Sequence, residues 1–442
     1  MRRSLSNNTL TQFSRRRFAT SASGTLDVDA LRLEFPGIQQ HLPNIIADGA
    51  GGSQIHQSSI DAMTRQLIHH NANVGGTFAT STGVLDTFAS IREDAAIFVN
   101  ARDSREMVFG NNMTTLSQHL SRALANRIEP GMQIIVSEMC HDANVSPWLA
   151  IAQERGCDVR WIRADPESYS LDMASLEEAL SSDKKTFMVA LGYASNLIGT
   201  VNDVQRACTL AREAGALSFV DAVHYAPHGI IDVQAVGCDF LACSPYKFFG
   251  PHCGMLYGRE ELLAELPSYK VRPCADELPT MDNYHVSKWE TGTQNYEALA
   301  GAAAAMRYIG RLAGEAGYSR AGLEASWGLI AEHERSLSTR FLAGLASMGG
   351  IQVYGITDTE VPEGTLARRT PTFSIRKGDL DPAAATAALV EQGLWCSYGN
   401  FYAQQLSEKL GIEETGFVTR MGFLHYNTLG EVDRALEAIE RL

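Results

Sequence analysis

Long apolar stretches are missing from this chain. No run approaches the roughly 18 uninterrupted apolar residues that a membrane helix needs, so a soluble protein with no membrane partner is expected. Basic charge is also in deficit: 37 Lys+Arg stand against 51 Asp+Glu, a formal net charge of −14. Nonspecific nucleic-acid binding draws on basic patches that neutralise phosphates, so no nucleic-acid partner is expected. Cysteine is sparse and scattered, eight residues at positions 140, 157, 208, 238, 243, 253, 274 and 396. None forms a CxxC pair and no His/Cys cluster has zinc-ligand spacing, which points to packed, reduced thiols rather than disulfides or a metal site. Repeats and low-complexity linkers are absent too. The chain has 45% hydrophobic and only 20% charged residues, which excludes a disordered chain, and the 442 residues suffice for two or three domains at roughly 100–200 residues each.

Residues 1–26 differ in kind. Arg2, Arg3, Arg15, Arg16 and Arg17, with five serines, precede the first acid, Asp27. Arg-rich, Ser-rich and acid-poor composition is that of a mitochondrial transit peptide. The stretch Arg16-Arg17-Phe18-Ala19-Thr20-Ser21 also resembles a presequence processing region. A mitochondrial matrix location is the expectation; the alternative is a basic tail without an address on a cytoplasmic protein.

From about residue 105, short apolar runs alternate with longer amphipathic ones. Strands are expected at 106–109, 133–136, 158–162, 186–190, 217–220 and 240–243. Helices are expected near 113–127, from Pro147, and over 172–180 and 202–214. Continuous apolar strands between helices indicate a mostly parallel sheet covered on both faces. After an Ala-rich helix around 297–313 the rhythm changes. A long helix near 320–347 leads to strands at 351–354, 372–375, 394–398 and 420–426, with helices at 382–391 and 429–441. The expectation is a large domain with its N-terminal segment over 27–315 and a smaller α+β domain over 316–442.

Ligands of open α/β sheets bind beyond the carboxyl ends of the strands, so the residues that follow each apolar run matter most. Phe109 leads into Gly110-Asn111-Asn112-Met113-Thr114-Thr115, a polar turn opening a helix, where backbone N–H groups and a hydroxyl suit a phosphate. Val136 leads to Cys140-His141-Asp142-Ala143-Asn144, and Ala190 to Ser195-Asn196. Val220 is followed by Asp221, with His224 three residues on. Cys243 runs into Ser244-Pro245-Tyr246-Lys247. Singly, each has a bland explanation: a cap, a packed histidine, a surface lysine. Together they set a phosphate cradle, an imidazole, an amide, a carboxylate and an amine along one sheet rim. Pyridoxal 5'-phosphate (PLP) chemistry requires such a set, with a lysine Schiff base and a carboxylate on the pyridine nitrogen.

The stretch from Val220-Asp221-Ala222-Val223-His224 to Ser244-Pro245-Tyr246-Lys247-Phe248-Phe249-Gly250-Pro251, with 26 residues from Asp221 to Lys247, resembles the class V aminotransferase family of fold-type I PLP enzymes, most closely its cysteine-desulfurase-like branch. The resemblance runs from about residue 44 to the C-terminus. It implies an α/β fold, with a mostly parallel seven-stranded-type sheet in the large domain and a smaller C-terminal α+β domain. It implies Lys247 as the Schiff-base lysine and general base and acid, Asp221 on the pyridinium nitrogen, His141 stacked on the ring, and Asn196, with His224, at the phenolic oxygen. Met113, Thr114 and Ser244 would meet the phosphate. Thr293, in Glu290-Thr291-Gly292-Thr293, would reach the partner subunit's phosphate, which implies a homodimer with shared sites. Arg420, in Thr419-Arg420-Met421-Gly422-Phe423, would clamp the substrate carboxylate through two parallel hydrogen bonds.

Four positions depart from the desulfurase pattern. Aligned through Gly399 and Ala403, the nucleophilic cysteine's place is taken by Tyr402, and a phenol cannot carry a persulfide. Cys396 lies inside an expected strand, and Cys274 is the less remote substitute. Ser397 replaces a second arginine, Tyr246 a histidine, and His224 a glutamine. These departures favour elimination of the C–S lyase type from a small amino acid, with transamination or epimerisation as alternatives on the same scaffold. A non-catalytic PLP-binding or sulfur-relay partner is the competing class, and intact Lys247, Asp221, His141 and Arg420 argue against it. A nicotinamide-dependent dehydrogenase fits the α/β rhythm, but Gly49-Ala50-Gly51-Gly52 does not meet the GxGxxG spacing and is read as a tight turn on the substrate side.

Overall fold

The apolar runs between residues 107 and 258 assemble into one sheet. The computed structural model describes residues 24–274, 276–279, 288–314, 317–358 and 368–442. Its strands are β1 (Met107–Gly110), β2 (Gln133–Ser137), β3 (Asp158–Ile162), β4 (Thr186–Gly192), β5 (Leu217–Asp221), β6 (Phe240–Cys243) and β7 (Gly254–Gly258). Their order is β1-β7-β6-β5-β4-β2-β3. Pairing is parallel throughout β6-β5-β4-β2-β3, and only β7 runs antiparallel to its neighbours. β2, β4, β6 and β7 are buried along their whole length, which is why their sequences do not alternate. Alternate residues feed two cores: Ile134, Met188 and Phe219 go to one face, Ile135, Val189 and Val220 to the other. Edge strand β3 does alternate, with Asp158 and Arg160 exposed.

The smaller unit is a four-stranded antiparallel sheet of β8 (Ile351–Tyr354), β9 (Thr372–Lys377), β10 (Ser397–Gly399) and β11 (Val418–Gly422), ordered β8-β9-β11-β10. Two helices, Arg320–Ser347 and Leu429–Glu440, cover it through Leu337, Phe341, Val432 and Ile439 against Phe373, Ile375 and Met421. The architecture is thus the expected α/β one, with a mixed central sheet and a smaller C-terminal domain.

Several local expectations need correction. Glu106 closes a short 3-10 turn, so β1 starts at Met107. The strand expected over 394–398 breaks at Cys396: Leu394–Trp395 pairs with Ile45–Ile46, while Ser397–Gly399 pairs with β11. The last strand ends at Gly422, not at 426. β7 has no counterpart in the sequence reading, because five residues bounded by glycines at 254 and 258 carry no period. Ile45 and Ala47, placed by sequence with the large domain, belong to the small domain's core. Most of the leader, residues 1–23, and the boundary at 315–316 lie outside the described residues. Among the described residues no helix is long and apolar enough to cross a membrane.

Segments 399 residues apart meet at a buried ion pair. Arg32 Nη2 donates to Glu431 Oε1 at 2.7 Å, and Nη1 donates to Glu431 Oε2 at 2.8 Å and to the Tyr426 carbonyl at 2.6 Å. Glu431 also accepts from Asn427 and completes a capping box with Thr428. Removing one partner of such a pair strands the other charge. Arg32→Leu should therefore destabilise the protein by about 3 kcal/mol, read as a lower urea midpoint with an unchanged slope; an unchanged midpoint would show the pair to be dispensable.

Candidate active site

The carboxyl ends of the parallel strands surround a partly enclosed cavity, the place where open α/β sheets bind ligands. Each parallel strand that reaches its rim delivers one group. β5 ends on Asp221, whose Oδ1 accepts the Val223 N–H at 2.9 Å. Burial pushes its carboxyl up to about 6, and the Lys247 charge pulls the other way. β6 leads through Ser244 into the 3-10 turn Pro245–Lys247. Lys247 is buried, and its amine donates to the Ala50 carbonyl and, at 2.9 Å, to that of Gly51. Burial, helped by the Arg420 charge, lowers its pKa to about 7, while Asp48 and Asp221 oppose the shift. Ser53 staples the lysine loop to the N-terminal segment: its backbone N–H donates to the Tyr246 carbonyl at 3.0 Å, and its hydroxyl accepts the Phe249 N–H at 2.7 Å.

β2 leads to His141. Its Nδ1 accepts the Ala143 N–H at 3.0 Å, which leaves the ring proton on Nε2. Burial first, then the Lys247 charge, lowers its pKa to about 4, so the imidazole is neutral. His224 is buried beside it on the cavity wall, with Nε2 at 3.2 Å from the hydroxyls of both Thr370 and Thr372. Burial holds it well below its ordinary value. Asn196 Nδ2 donates to the Phe401 carbonyl at 2.8 Å. Two buried atoms, Asn196 Oδ1 and His224 Nδ1, have no hydrogen-bond partner.

β1 feeds the helix Met113–Leu124, whose N-terminus, with Met113 and Thr114, lines the same cavity. Asn112 caps it through the Thr115 N–H at 2.8 Å, and Ser244 Oγ accepts the Met113 N–H at 3.2 Å. Gly254 makes this close approach possible, since a Cβ there would meet Asn112 backbone at 2.4 Å. The positive end of a helix beside serine and threonine hydroxyls is a natural anion site.

The structure thus brings Met113, Thr114, His141, Asn196, Asp221, His224, Ser244 and Lys247 together in one wall. It leaves two expected site residues outside. Thr293 lines a separate cleft with Thr115, His119 and Arg122. Arg420 is buried behind the wall, its Nη1 donating to the Asn196 carbonyl at 3.0 Å and its Nη2 pairing with Asp48 Oδ1 at 3.2 Å. The Phe401 ring lies 3.5 Å from its guanidinium carbon. Asp48 is the residue that sequence reasoning missed; its signal was an acid opening the glycine-rich turn Gly49-Ala50-Gly51-Gly52. Tyr402 is 71% exposed, with its ring 5.4 Å from that of His141. Cys396 is buried, and burial pushes its thiol up to about 12. Cys140 and Cys253 are shifted to the same level, again by burial.

The sequence profile described as "Aminotransferase class-V" matches residues 45–435. The chain belongs to the class V aminotransferase family. Within that family it is 31% identical over 429 residues to an aminotransferase-like protein of Gibberella zeae, covering 95% of this chain and 99% of the relative. It is 28% identical over 438 residues to a probable cysteine desulfurase of Streptomyces coelicolor, covering 96% and 99%. Among solved structures, the apo cysteine desulfurase of Thermococcus onnurineus NA1 superposes with a TM-score of 0.81 at 25% identity, covering 93% of this chain and 97% of that one. The cysteine desulfurase CsdA (S-sulfonic acid) of Escherichia coli superposes with a TM-score of 0.77 at 26% identity, covering 94% and 98%. These similarities place the class V protein in the cysteine-desulfurase-like branch.

The cofactor of the class V family is pyridoxal 5'-phosphate. The residues present fit it: a buried amine, a buried carboxyl, a capped helix N-terminus, and two unpartnered buried atoms on residues that line one cavity. With its pKa lowered to about 7, the Lys247 amine sheds its proton near neutrality, and only the free base adds to an aldehyde. The rate at which the apoprotein takes up pyridoxal phosphate should therefore rise with a midpoint near pH 7. Stopped-flow absorbance across pH 5–9 (a range of about 2 units either side) measures it; a rate still climbing at the upper limit would contradict the lowered value.

Proposed function

We propose that the protein is a PLP-dependent lyase that eliminates a sulfur leaving group from a small amino acid. The observation that carries this reading is the presence of the buried Lys247 amine and Asp221 in one cavity wall that, among the described residues, contains no cysteine. Asp221 would hold the pyridine nitrogen, Ser244, Met113 and Thr114 the phosphate, Asn196 and His224 the ring oxygen, and His141 the ring face. The bound cofactor supplies the electron sink that makes a proton on the substrate Cα removable. Lys247 takes that proton as general base and later returns one as general acid. Arg420 holds the substrate carboxylate.

A persulfide-forming route needs a mobile thiolate at the cavity. Tyr402 stands at the position the resemblance assigns to it, and Cys396 is buried and held protonated. Elimination needs no thiolate from the protein: an S-substituted cysteine and one water leave as thiol, ammonia and pyruvate. Transamination on the same residues is the second reading, favoured by the likeness to the aminotransferase-like protein of Gibberella zeae. We extend the proposal to a homodimer, in which Thr293 reaches the partner subunit's cofactor, and to the mitochondrial matrix, on the composition of residues 1–26.

Purified protein given an S-substituted cysteine should release thiol and pyruvate in equal amounts, with no persulfide on any cysteine by mass spectrometry. Amino transfer to an added keto acid without pyruvate would select the second reading, and stoichiometric persulfide would exclude elimination as the main route. Lys247→Ala should lower turnover by roughly 10²–10⁴, whereas Tyr402→Phe should change it by less than about threefold. Full activity in Lys247→Ala would remove the basis for the whole assignment.

A further inference from the structure

Both terminal nitrogens of Arg420 are already engaged in the arrangement seen here, and Nε is buried without a partner. Its Nη1 is taken by the Asn196 carbonyl, its Nη2 by Asp48, and its face by the Phe401 ring. The arginine side chain is 4% exposed, while that of Asp48 is 37% exposed. The anion thus faces solvent and the cation does not. The second oxygen of Asp48 is steadied by the Ser397 hydroxyl at 3.1 Å. Ser397 sits directly across from Arg420 in the pairing of β10 with β11. One carboxylate therefore spans the guanidinium and a neighbouring hydroxyl, the way an amino acid's carboxylate would.

The backbone keeps Asp48 there. The Gly49 N–H donates to the Gly422 carbonyl at 2.9 Å, and the Gly422 N–H to the Ala47 carbonyl at 2.7 Å. Gly422 leaves room for this, since a Cβ on it would meet the Ala50 nitrogen at 2.7 Å. The same turn presents the Ala50 and Gly51 carbonyls to the Lys247 amine. One short segment thus occupies both the arginine and the lysine.

We propose that Asp48 is a specificity-determining residue: its carboxylate stands on Arg420 in place of a substrate carboxylate, and the site admits amino acids that displace it and carry no second acid. The inference rests on the reading of Arg420 as the substrate clamp. An incoming carboxylate must compete with a tethered one, and the displaced Asp48 stays nearby as a like charge, which penalises anions. Ser397 offers a second acid only a hydroxyl, and among the described residues lining the cavity Lys247 is the one lysine or arginine, with Asp221 a further acid. The selected substrate class is the small monocarboxylate amino acid with an uncharged side chain.

The test is calorimetric titration of the PLP-loaded protein with propionate and with succinate at low salt. Asp48→Asn should bind propionate about tenfold tighter, the factor that 1.4 kcal/mol corresponds to, and succinate should gain more than propionate does. Asp48→Glu should return propionate affinity to within about threefold of the wild type. Ser397→Ala, which removes only the hydroxyl steadying Asp48, should tighten propionate by about threefold and serves if Asp48→Asn folds poorly. A merely structural role for Asp48 would not improve binding. If Arg420→Gln loses propionate while neither Asp48→Asn nor Ser397→Ala gains, the clamp stands and the proposal fails. If Arg420→Gln binds propionate as the wild type does, the clamp reading falls and the proposal with it.

Discussion

The placement of Lys247 is the constraint on which the rest depends. Its amine lies in the wall of the large domain, where burial makes a charged ammonium costly. Two carbonyls of the turn after Asp48 receive it, and among the described residues no carboxylate pairs with it directly. Holding an amine in that state requires the N-terminal segment to be threaded under the lysine loop, which Ser53 fastens. It also requires the carboxyl of Asp221 to lie close without neutralising the amine by contact. The result is a nucleophile ready at neutral pH, the property a lysine needs to react with an aldehyde and to move protons.

Much of this arrangement was legible in the sequence because it follows from short-range order. Strands that are buried on both faces read as continuous apolar runs, so β2, β4, β5 and β6 stood out, and the polar residues at or just beyond the end of each were candidates by position alone. Asp221, Ser244 and Lys247 were found in that way, and His141 and Asn196 by the same rule one turn further along. The spacing of Asp221 and Lys247 then carried the family.

What was not legible came from contacts distant in sequence. Asp48 lies 372 residues from Arg420, and nothing local marks an aspartate as the partner of an arginine near the other end. β7 escaped because glycine at both ends removes the periodic signal; its value lies in Gly254, which lets the helix at Met113 approach. The strand at 394–398 was broken because its halves answer to different neighbours, Ile45–Ile46 and β11. His224 was foreseen at the cavity, but not that it would touch Thr370 and Thr372 and so join the two sheets.

The ion pair of Arg32 with Glu431 spans 399 positions. During synthesis Arg32 is made 399 residues ahead of Glu431 and stays unlatched until the polypeptide between them has been made. Closing a contact of that separation is slow compared with local helix formation. Latching of the Arg32 segment therefore comes after synthesis of both sheets, whose strands all lie between the two partners.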